Sequence, residues 1–474
     1  MNFSTQVIIT GGGPTGLMAA CELALAGIKV TVLERRTERV AQSRALTLHP
    51  RTLEIFSMRG LLDRALKRGI PLPTGHYGVL DTRLDFTTLD TDCPYTLFIP
   101  QTVTEELLEE RALELGVDLR RGCRVTGFTQ DAHGVTVTAE GSDGTFTGHA
   151  LFLIGADGAR STIRTLSGIP FNGTEVTSTM FLADMVLDDP PKANSFANDR
   201  GRFLVVPLGD GKHHRFAVVD GDRLAVPLSE PVTEEEVRQA ALKIAGTDFG
   251  MRDPFWLSRF GDETRLAASY RQDRVLLAGD ACHIHLPAGG QGLNVGVQDA
   301  FNLGWKLAMV IKGDAPDSLL DSYHTERQPV GQALLDNTLA QTAVMVAFKG
   351  RDLALRQVLN DLLKLPQVNR LLSDQICAFD IAYPAPIWPV ADTSPLSGER
   401  LPDSELQLVD GTVVTLYSLL QKGSWLDIRM PGASGAMEVE TARQVEATGI
   451  TGDRYAGLSR LLVRPDGHLA ATAA

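Results

Sequence analysis
The chain opens on a pattern that leaves few folds available. Val7-Ile8-Ile9 is a short apolar run of the kind shown by a strand buried on both faces. Gly11, Gly13 and Gly16 follow as GxGxxG, with Pro14 inside the turn and a helical stretch to about Ala26. Lys29–Leu33 reads as a second strand, closed by Glu34. Strand, glycine turn, helix, strand and acid predict a βαβ unit whose helix start receives a pyrophosphate. The glycines permit the turn, the approach of the phosphates and helix–strand packing. Glu34 is placed to accept bonds from ribose hydroxyls. The pattern does not separate NAD from FAD, and a purely structural turn is the alternative.

Two further strands end on a carboxylate. Val275–Ala278 stops at Gly279-Asp280, and Ala150–Ile154 stops at GADGARS (Gly155–Ser161), which carries Asp157. Open α/β sheets bind ligands at the carboxyl ends of their strands. After Asp280 come Pro287 and Gly289-Gly290-Gln291-Gly292, and from Leu293 the apolar spacing turns helical. A glycine-rich turn at a helix start suits an anion or a polarised carbonyl, and Asp280 suits hydroxyls. Flavin offers both, as ribitol and as the N1 and C2-carbonyl edge of its ring. A strand–turn–helix with no ligand remains the plain alternative.

Between these elements the pattern predicts an amphipathic helix over His49–Gly60 and a strand-like stretch over Tyr77–Phe98. A helix is expected over Glu105–Leu115, capped by Thr102 or Thr104 and acidic in its first turn. Strands are expected at Val117–Leu119, Val125–Thr129 and Val135–Ala139. A strand-rich block then interrupts the nucleotide-binding elements: Met180–Val186, Arg202–Pro207, His213–Val219 and Phe255–Ser258. Such an inserted antiparallel sheet is a natural wall for a pocket. Strand alternation puts His214 opposite Arg215, and Arg215 is the expected substrate contact, an outward-facing arginine being the alternative. A helical region follows from Val330 to about Ile376, broken near Gly350 and Pro366. Pro384–Pro395 reads as a linker, and Asp403–Ala474 as a small α/β unit ending in a hairpin around RPDGH.

Composition narrows the partners. A net charge of −13 argues against nucleic acid or an anionic membrane. No apolar run reaches membrane length. The first residues lack the basic start of a signal peptide, and the five cysteines form no CxxC. A cytoplasmic protein is expected. Cys282-His283-x-His285 has no second ligand pair spaced for a metal, so none is expected.

With GGGPTG (Gly11–Gly16), GADGARS and GDACHIHLPAGGQGLN (Gly279–Asn294) in this order, the chain resembles the flavin-dependent aromatic hydroxylases of the p-hydroxybenzoate hydroxylase fold, from Val7 to about Asn337. SRALTLHPRTLEIFSMRGLL, DSYHTERQPV and the terminal RPDGH are most similar to bacterial hydroxylases of aromatic polyketides and rifamycin. The resemblance implies an α/β fold: a Rossmann-like FAD domain of the glutathione-reductase type (residues 1–74, 101–177 and 261–330) and an inserted antiparallel substrate-binding sheet (75–100 and 178–260). A helical region (331–382) and a small thioredoxin-like unit (383–474) complete it. It implies that Gly11, Gly13, Pro14, Gly16 and Glu34 hold the ADP half of non-covalent FAD, flanked by Arg35. Arg44 and Gln101 match ribitol and phosphate contacts, Val125 a backbone contact to adenine, and Asp280 a ribitol contact. Pro287, Gly290, Gly292, Leu293 and Asn294 match the backbone facing the flavin ring. Asp157 matches a carboxylate used in FAD and NAD(P)H handling.

The implied reaction is insertion of one oxygen atom from O₂ into a bulky polycyclic phenol, with NADPH or NADH as electron donor, by a monomer or homodimer. Baeyer–Villiger or epoxidising oxygenation of a similar substrate is a second reading. A flavin-dependent protein that sequesters an antibiotic without turnover is a third. No WxWxIP is present to suggest a halogenase. The catalytic base is not identified by the sequence.

Overall fold
The computed structural model describes residues 2–384, 388–389, 394–433 and 439–473. Its organising layer is a six-stranded sheet, ordered Arg271–Gln272, Val275–Leu277, Phe152–Gly155, Val7–Thr10, Val30–Glu34, Asp118–Arg121. All neighbours run parallel except the first pair. Strands buried on both faces need apolar residues at every position, which is why they read as unbroken runs. On one face the helix Pro14–Leu25 lies along the helix Gly292–Lys312. The approach is close: a Cβ added at Gly304 would stand 2.4 Å from the Cβ of Glu22. On the other face packs a meander of Arg124–Gln130, Val135–Gly141 and Gly144–Ala150, with Gly148 against Ile8.

The inserted sheet is antiparallel throughout, ordered Ser195–Asn198, Gly201–Pro207, His213–Asp220, Thr179–Leu187, Met251–Gly261. One face carries Phe181, Phe203, Phe216 and Met251 against the helix Glu234–Ala245, a core separate from that of the main sheet. This helix has a Thr233 cap, three glutamates in its first turn and Gly246 at its end, a complete set of signals that the reading of a strand-rich block passes over.

Two other expectations shift. The helix expected from Glu105 begins at Gln101, with Pro100 as its N-cap and no side-chain cap, so neither Thr102 nor Thr104 serves. Tyr77–Phe98 is mostly irregular, with strands only at Leu84–Asp85 and Thr96–Phe98. Gly78 and Val79 both take positive φ, at 53° and 52°, which breaks any strand.

The helical region forms Asp321–Met345, Gly350–Leu362 and Pro366–Cys377, broken where Gly350 and Pro366 stand. Much of the expected linker Pro384–Pro395 lies outside the described residues. The carboxyl-terminal unit is a six-stranded mixed sheet with the short helix Leu416–Leu420. Among the described residues no helix is long and apolar enough to cross a membrane.

Candidate active site
The three central strands, Val7–Thr10, Phe152–Gly155 and Val275–Leu277, are adjacent and parallel, so their carboxyl ends converge although the sequence separates them widely. A Cβ on Gly11 would meet the Ala156 carbonyl oxygen at 2.3 Å and the Asp157 Cα at 3.0 Å, and one on Gly16 would meet the Gly11 oxygen at 2.0 Å. At Gly13 the same construction meets nothing within 4 Å. Gly11 and Gly16 therefore close the turn, and Gly13 leaves the space a phosphate takes.

Glu34 is buried at the end of its strand, where its carboxylate accepts from the N–H of Gly12 at 2.7 Å and of Arg36 at 2.9 Å. A carboxylate has lone pairs for more than two donors, so the same group remains able to accept from hydroxyls. Arg35 beside it is exposed, and Val125 lies at a bulge in the neighbouring meander. Asp157 caps the helix Thr162–Leu166, accepting from Ser161 Oγ at 2.5 Å and from the N–H of Thr162 at 2.7 Å.

Asp280 makes no hydrogen bond among the described residues and keeps its side chain accessible. Crowding in the cleft nonetheless raises its carboxyl above the usual range, with His283 and Arg44 pulling the other way. Beneath it lies a buried network centred on one carboxylate. Asp299, on the long helix, accepts from the Gly279 N–H at 3.1 Å and from His283 at 2.8 Å, and its other oxygen holds Arg327 at 2.8 Å. These contacts engage the His283 Nε2, while its Nδ1 is buried with no hydrogen-bond partner among the described residues.

The loop Pro287–Gln291 contains Gly289 and Gly290 at φ 70° and 68°. The helix Gly292–Lys312 starts without a side-chain cap, and Gly292 and Leu293 are part-exposed. Its first N–H groups have no intrahelical acceptor, and the positive end of the helix dipole lies behind them. Asn294 is spent on tying segments together: its amide donates to the carbonyls of Gly290 at 2.9 Å and Thr47 at 3.2 Å, and its oxygen accepts from the His49 N–H at 2.8 Å. Gln101 does the same for the segment carrying Arg44, bonding both backbone groups of Ala45. Arg44 itself is exposed, and Pro287 is exposed on the same cleft.

His49 was not singled out by sequence, yet its ring bridges the Gly289 carbonyl at 2.8 Å and Thr96 at 3.3 Å, and burial pushes it down to about 4. His49 preceding Pro50 at a helix start was the only hint. Gln291, Asn337 and Gln341 form a similar chain: Gln291 and Gln341 both donate to the Asn337 side-chain oxygen.

Arg215 is placed differently from the expectation. It is buried, with Nε and Nη2 each 2.7 Å from Asp184, and Nη1 donates to the backbone oxygen of Arg44 at 3.1 Å. Trp256 covers it at 5.1 Å. Arg215 and His214 do point to opposite faces: Arg215 pairs with Asp184 and His214 with Met185. Asp184, invisible as a partner in the sequence, satisfies the cation that Arg215 would otherwise offer to a ligand. The neighbouring row on that face, Leu204, Ala217, Leu182 and Ser258, is part-exposed across four strands.

The cleft fits the flavin cofactor expected from the motifs. Open space at Gly13 suits the pyrophosphate, the free carboxylate of Asp280 suits ribitol, and the uncapped helix start at Gly292 suits the electron-rich ring edge.

Comparison with known proteins gives three findings. A family model described as FAD binding domain matches residues 4–338. An uncharacterized aromatic compound monooxygenase of Bacillus subtilis (strain 168) is 47% identical, covering 99% of this chain and 94% of its own length; a rifampicin monooxygenase of Streptomyces venezuelae (strain ATCC 10712) is 41% identical, covering 98% and 94%. The solved anhydrotetracycline hydroxylase of Streptomyces rimosus is 43% identical and superposes with a TM-score of 0.90, covering 99% of this chain and 96% of that one.

Proposed function
The chain belongs to the FAD binding domain family, and from that premise we propose that it hydroxylates a flat, polycyclic phenol of the aromatic-polyketide or rifamycin type. It is an FAD-dependent monooxygenase that uses NAD(P)H and O₂. The observation that carries the substrate class is the part-exposed row Leu204, Ala217, Leu182 and Ser258. Four strands at about 4.8 Å spacing make a shelf roughly 14 Å long, apolar but for one hydroxyl. It suits a plate of fused rings better than a single ring.

Bound FAD supplies the oxygen-transfer chemistry. The chain's own residues hold and orient. Gly11, Gly13, Pro14, Gly16, Glu34, Arg35 and Val125 serve the ADP half, with Arg44, Gln101, Asp157 and Asp280 along the phosphates and ribitol. Pro287, Gly290, Gly292, Leu293 and Asn294 present backbone to the ring, where the helix dipole stabilises negative charge. Arg215 acts through Asp184 and the Arg44 carbonyl, fixing the segment that carries Arg44 against the sheet. Residues 75–100 and 178–260 form the substrate-binding part. Five free thiols, four of them buried, suit a cytoplasmic protein.

The test is direct. The purified protein should be yellow, with about one FAD per chain, and a panel of polycyclic phenols including anhydrotetracycline should contain one that stimulates NADPH oxidation and gains one oxygen atom by mass spectrometry. FAD-loaded protein that oxidises NADPH at the same rate with every phenol, and leaves all of them unchanged, would refute the hydroxylase reading.

A further inference from the structure
Arg202 stands on the same face of the inserted sheet as the shelf, one row along from Leu204 and directly beside Val219. It is 3% exposed. Its Nη2 donates to the Ala347 carbonyl at 2.9 Å, and the Phe348 ring covers the guanidinium at 4.8 Å. Nε and Nη1 are buried with no hydrogen-bond partner among the described residues. Among the described residues it forms no ion pair, Asp81 being the carboxylate whose charge acts on it. Other buried arginines are engaged: Arg59, Arg327 and Arg464 hold carboxylates, and Arg356 holds the carbonyls of Gly78, Val79 and Val344.

An arginine in this state is unfavourable for the substrate-free fold. Each buried N–H without an acceptor carries its desolvation cost, and the charge of Asp81 offsets it only in part. Burial, aided by the nearby Arg356 and opposed by Asp81, lowers its pKa to about 10. The fork of donors sits at the end of the shelf, under the segment joining the helices Asp321–Met345 and Gly350–Leu362. Gly350, at φ 58°, gives that segment a hinge residue. The same cluster of Met180, Val219, Leu286, Ala288 and Phe348 brings the sheet against the loop that ends at the flavin-facing helix.

We propose that Arg202 is a substrate-binding residue, held in reserve under Ala347 and Phe348, whose free Nε and Nη1 donate to a phenolate or carbonyl oxygen at one end of the polycyclic substrate. The proposal rests on the reading of the protein as a polycyclic hydroxylase. The incoming oxygen reaches the guanidinium when Phe348 swings aside, and it completes a coordination that the free protein leaves unmet. Ring systems lacking an oxygen at that end gain nothing from Arg202 and must still displace Phe348, so the residue selects for oxygenated edges.

The experiment uses FAD-loaded wild type, Arg202→Met and Arg202→Lys, with anhydrotetracycline as probe. Binding is read by calorimetric titration without NADPH, turnover by oxygenated product, and stability by thermal melting of the probe-free holoproteins. Arg202→Met should bind about tenfold to a hundredfold more weakly, the loss of a charge-assisted bond, with kcat changed far less than KM. Arg202→Lys should fall between. The probe-free Arg202→Met protein should melt at or above the wild-type temperature, since it removes unmet donors; a merely structural arginine would lower it. Equal binding by Arg202→Met and wild type would overturn the proposal while leaving the hydroxylase reading intact. So would a marked fall in its melting temperature when wild type does not bind the probe. Wild type that binds the probe through Arg202 without oxygenating it would fail the hydroxylase reading and leave this one standing.

Discussion

The inserted sheet has a core of its own around Phe181, Phe203 and Phe216, whereas the carboxyl-terminal unit has none that is separate among the described residues: Leu406, Leu426 and Leu461 belong to the same apolar cluster as Val7, Leu17 and Leu276. The polar contacts differ in the same sense. Apart from the bonds of Ser178 and Asp262 where the chain enters and leaves it, the sheet reaches the nucleotide-binding domain by a bond from Arg215 to the Arg44 carbonyl and the helical region by one from Arg202 to the Ala347 carbonyl. The carboxyl-terminal hairpin is bolted down. Arg464 grips Glu326 with two bonds of 2.9 Å and also pairs with Asp466, which accepts from Trp305 at 3.0 Å. Arg59, paired with Glu22, donates to the carbonyls of Leu420 and Pro465. An interface that admits substrate has to part; one that braces the cofactor loop must not. Glu326 connects to the loop in a few steps: Arg327, its neighbour on the helix Asp321–Met345, then Asp299 on the helix Gly292–Lys312, then the Gly279 N–H.

The largest effect should come from the bolted side. Arg464→Met leaves Glu326 and Asp466 buried without their main counter-charge, and removing one partner of a buried ion network costs about 3–5 kcal/mol. Chemical denaturation should show the loss in one cooperative transition, because the cores are shared. A separate early transition confined to residues 400–473 would break the comparison.

Arg215→Ala should come next, at about 3 kcal/mol, since Asp184 is then buried alone. Hydrogen exchange should locate the loss in the inserted sheet and the segment near Arg44, with FAD retention reduced. His214→Ala, on the opposite face, serves as the control and should leave both unchanged. Equal damage from the two variants would mean that the sheet is not joined through Arg215.

Glu34→Ala tests a contact that neither appended unit touches. It removes the acceptor for Gly12 and Arg36 together with the ribose partner, so FAD affinity should drop by about 1–3 kcal/mol, measured by dialysis and fluorescence. Unit unfolding behaviour should stay as in wild type.

The most gradual effect is spread over pH. Burial lowers both His49, beside the cofactor loop, and His468, in the hairpin, from 6.5 to about 4. The unfolded chain then binds more protons than the fold between those values. Their contribution is complete above pH 6.5 and is lost as the pH falls toward 4, at up to about 1.4 kcal/mol per pH unit for each group. Melting temperatures of wild type and His468→Asn should therefore converge as the pH is lowered through that window. A constant gap would show that His468 is not buried in its neutral form.

What could be read beforehand was whatever backbone periodicity and glycine dictate. GxGxxG, Asp157 and Asp280 announce strand ends, because a sheet of parallel strands must turn sharply there and glycine allows it. What stayed hidden depends on partners far apart in sequence. Arg215 looked free because Asp184 lies 31 residues away on the next strand, and His49 looked ordinary because Gly289 is 240 residues away. The helix start at Gln101 was missed for a local reason: Pro100 supplies the extended entry that a threonine cap was expected to give.

The shared core at the carboxyl end has a bearing on how such a chain can be re-engineered or diversify. A sheet with its own core, held at a few points, is an exchangeable part: a relative's sheet can be grafted between the same strands and the hybrid should still load cofactor. The final seventy residues are no such part. Their leucines fill the same interior as the nucleotide-binding strands, and Arg464 is matched to Glu326 and Asp466 to Trp305. Swapping that segment alone would bring in side chains cut to another protein's interior, so it must be inherited together with the helices it locks.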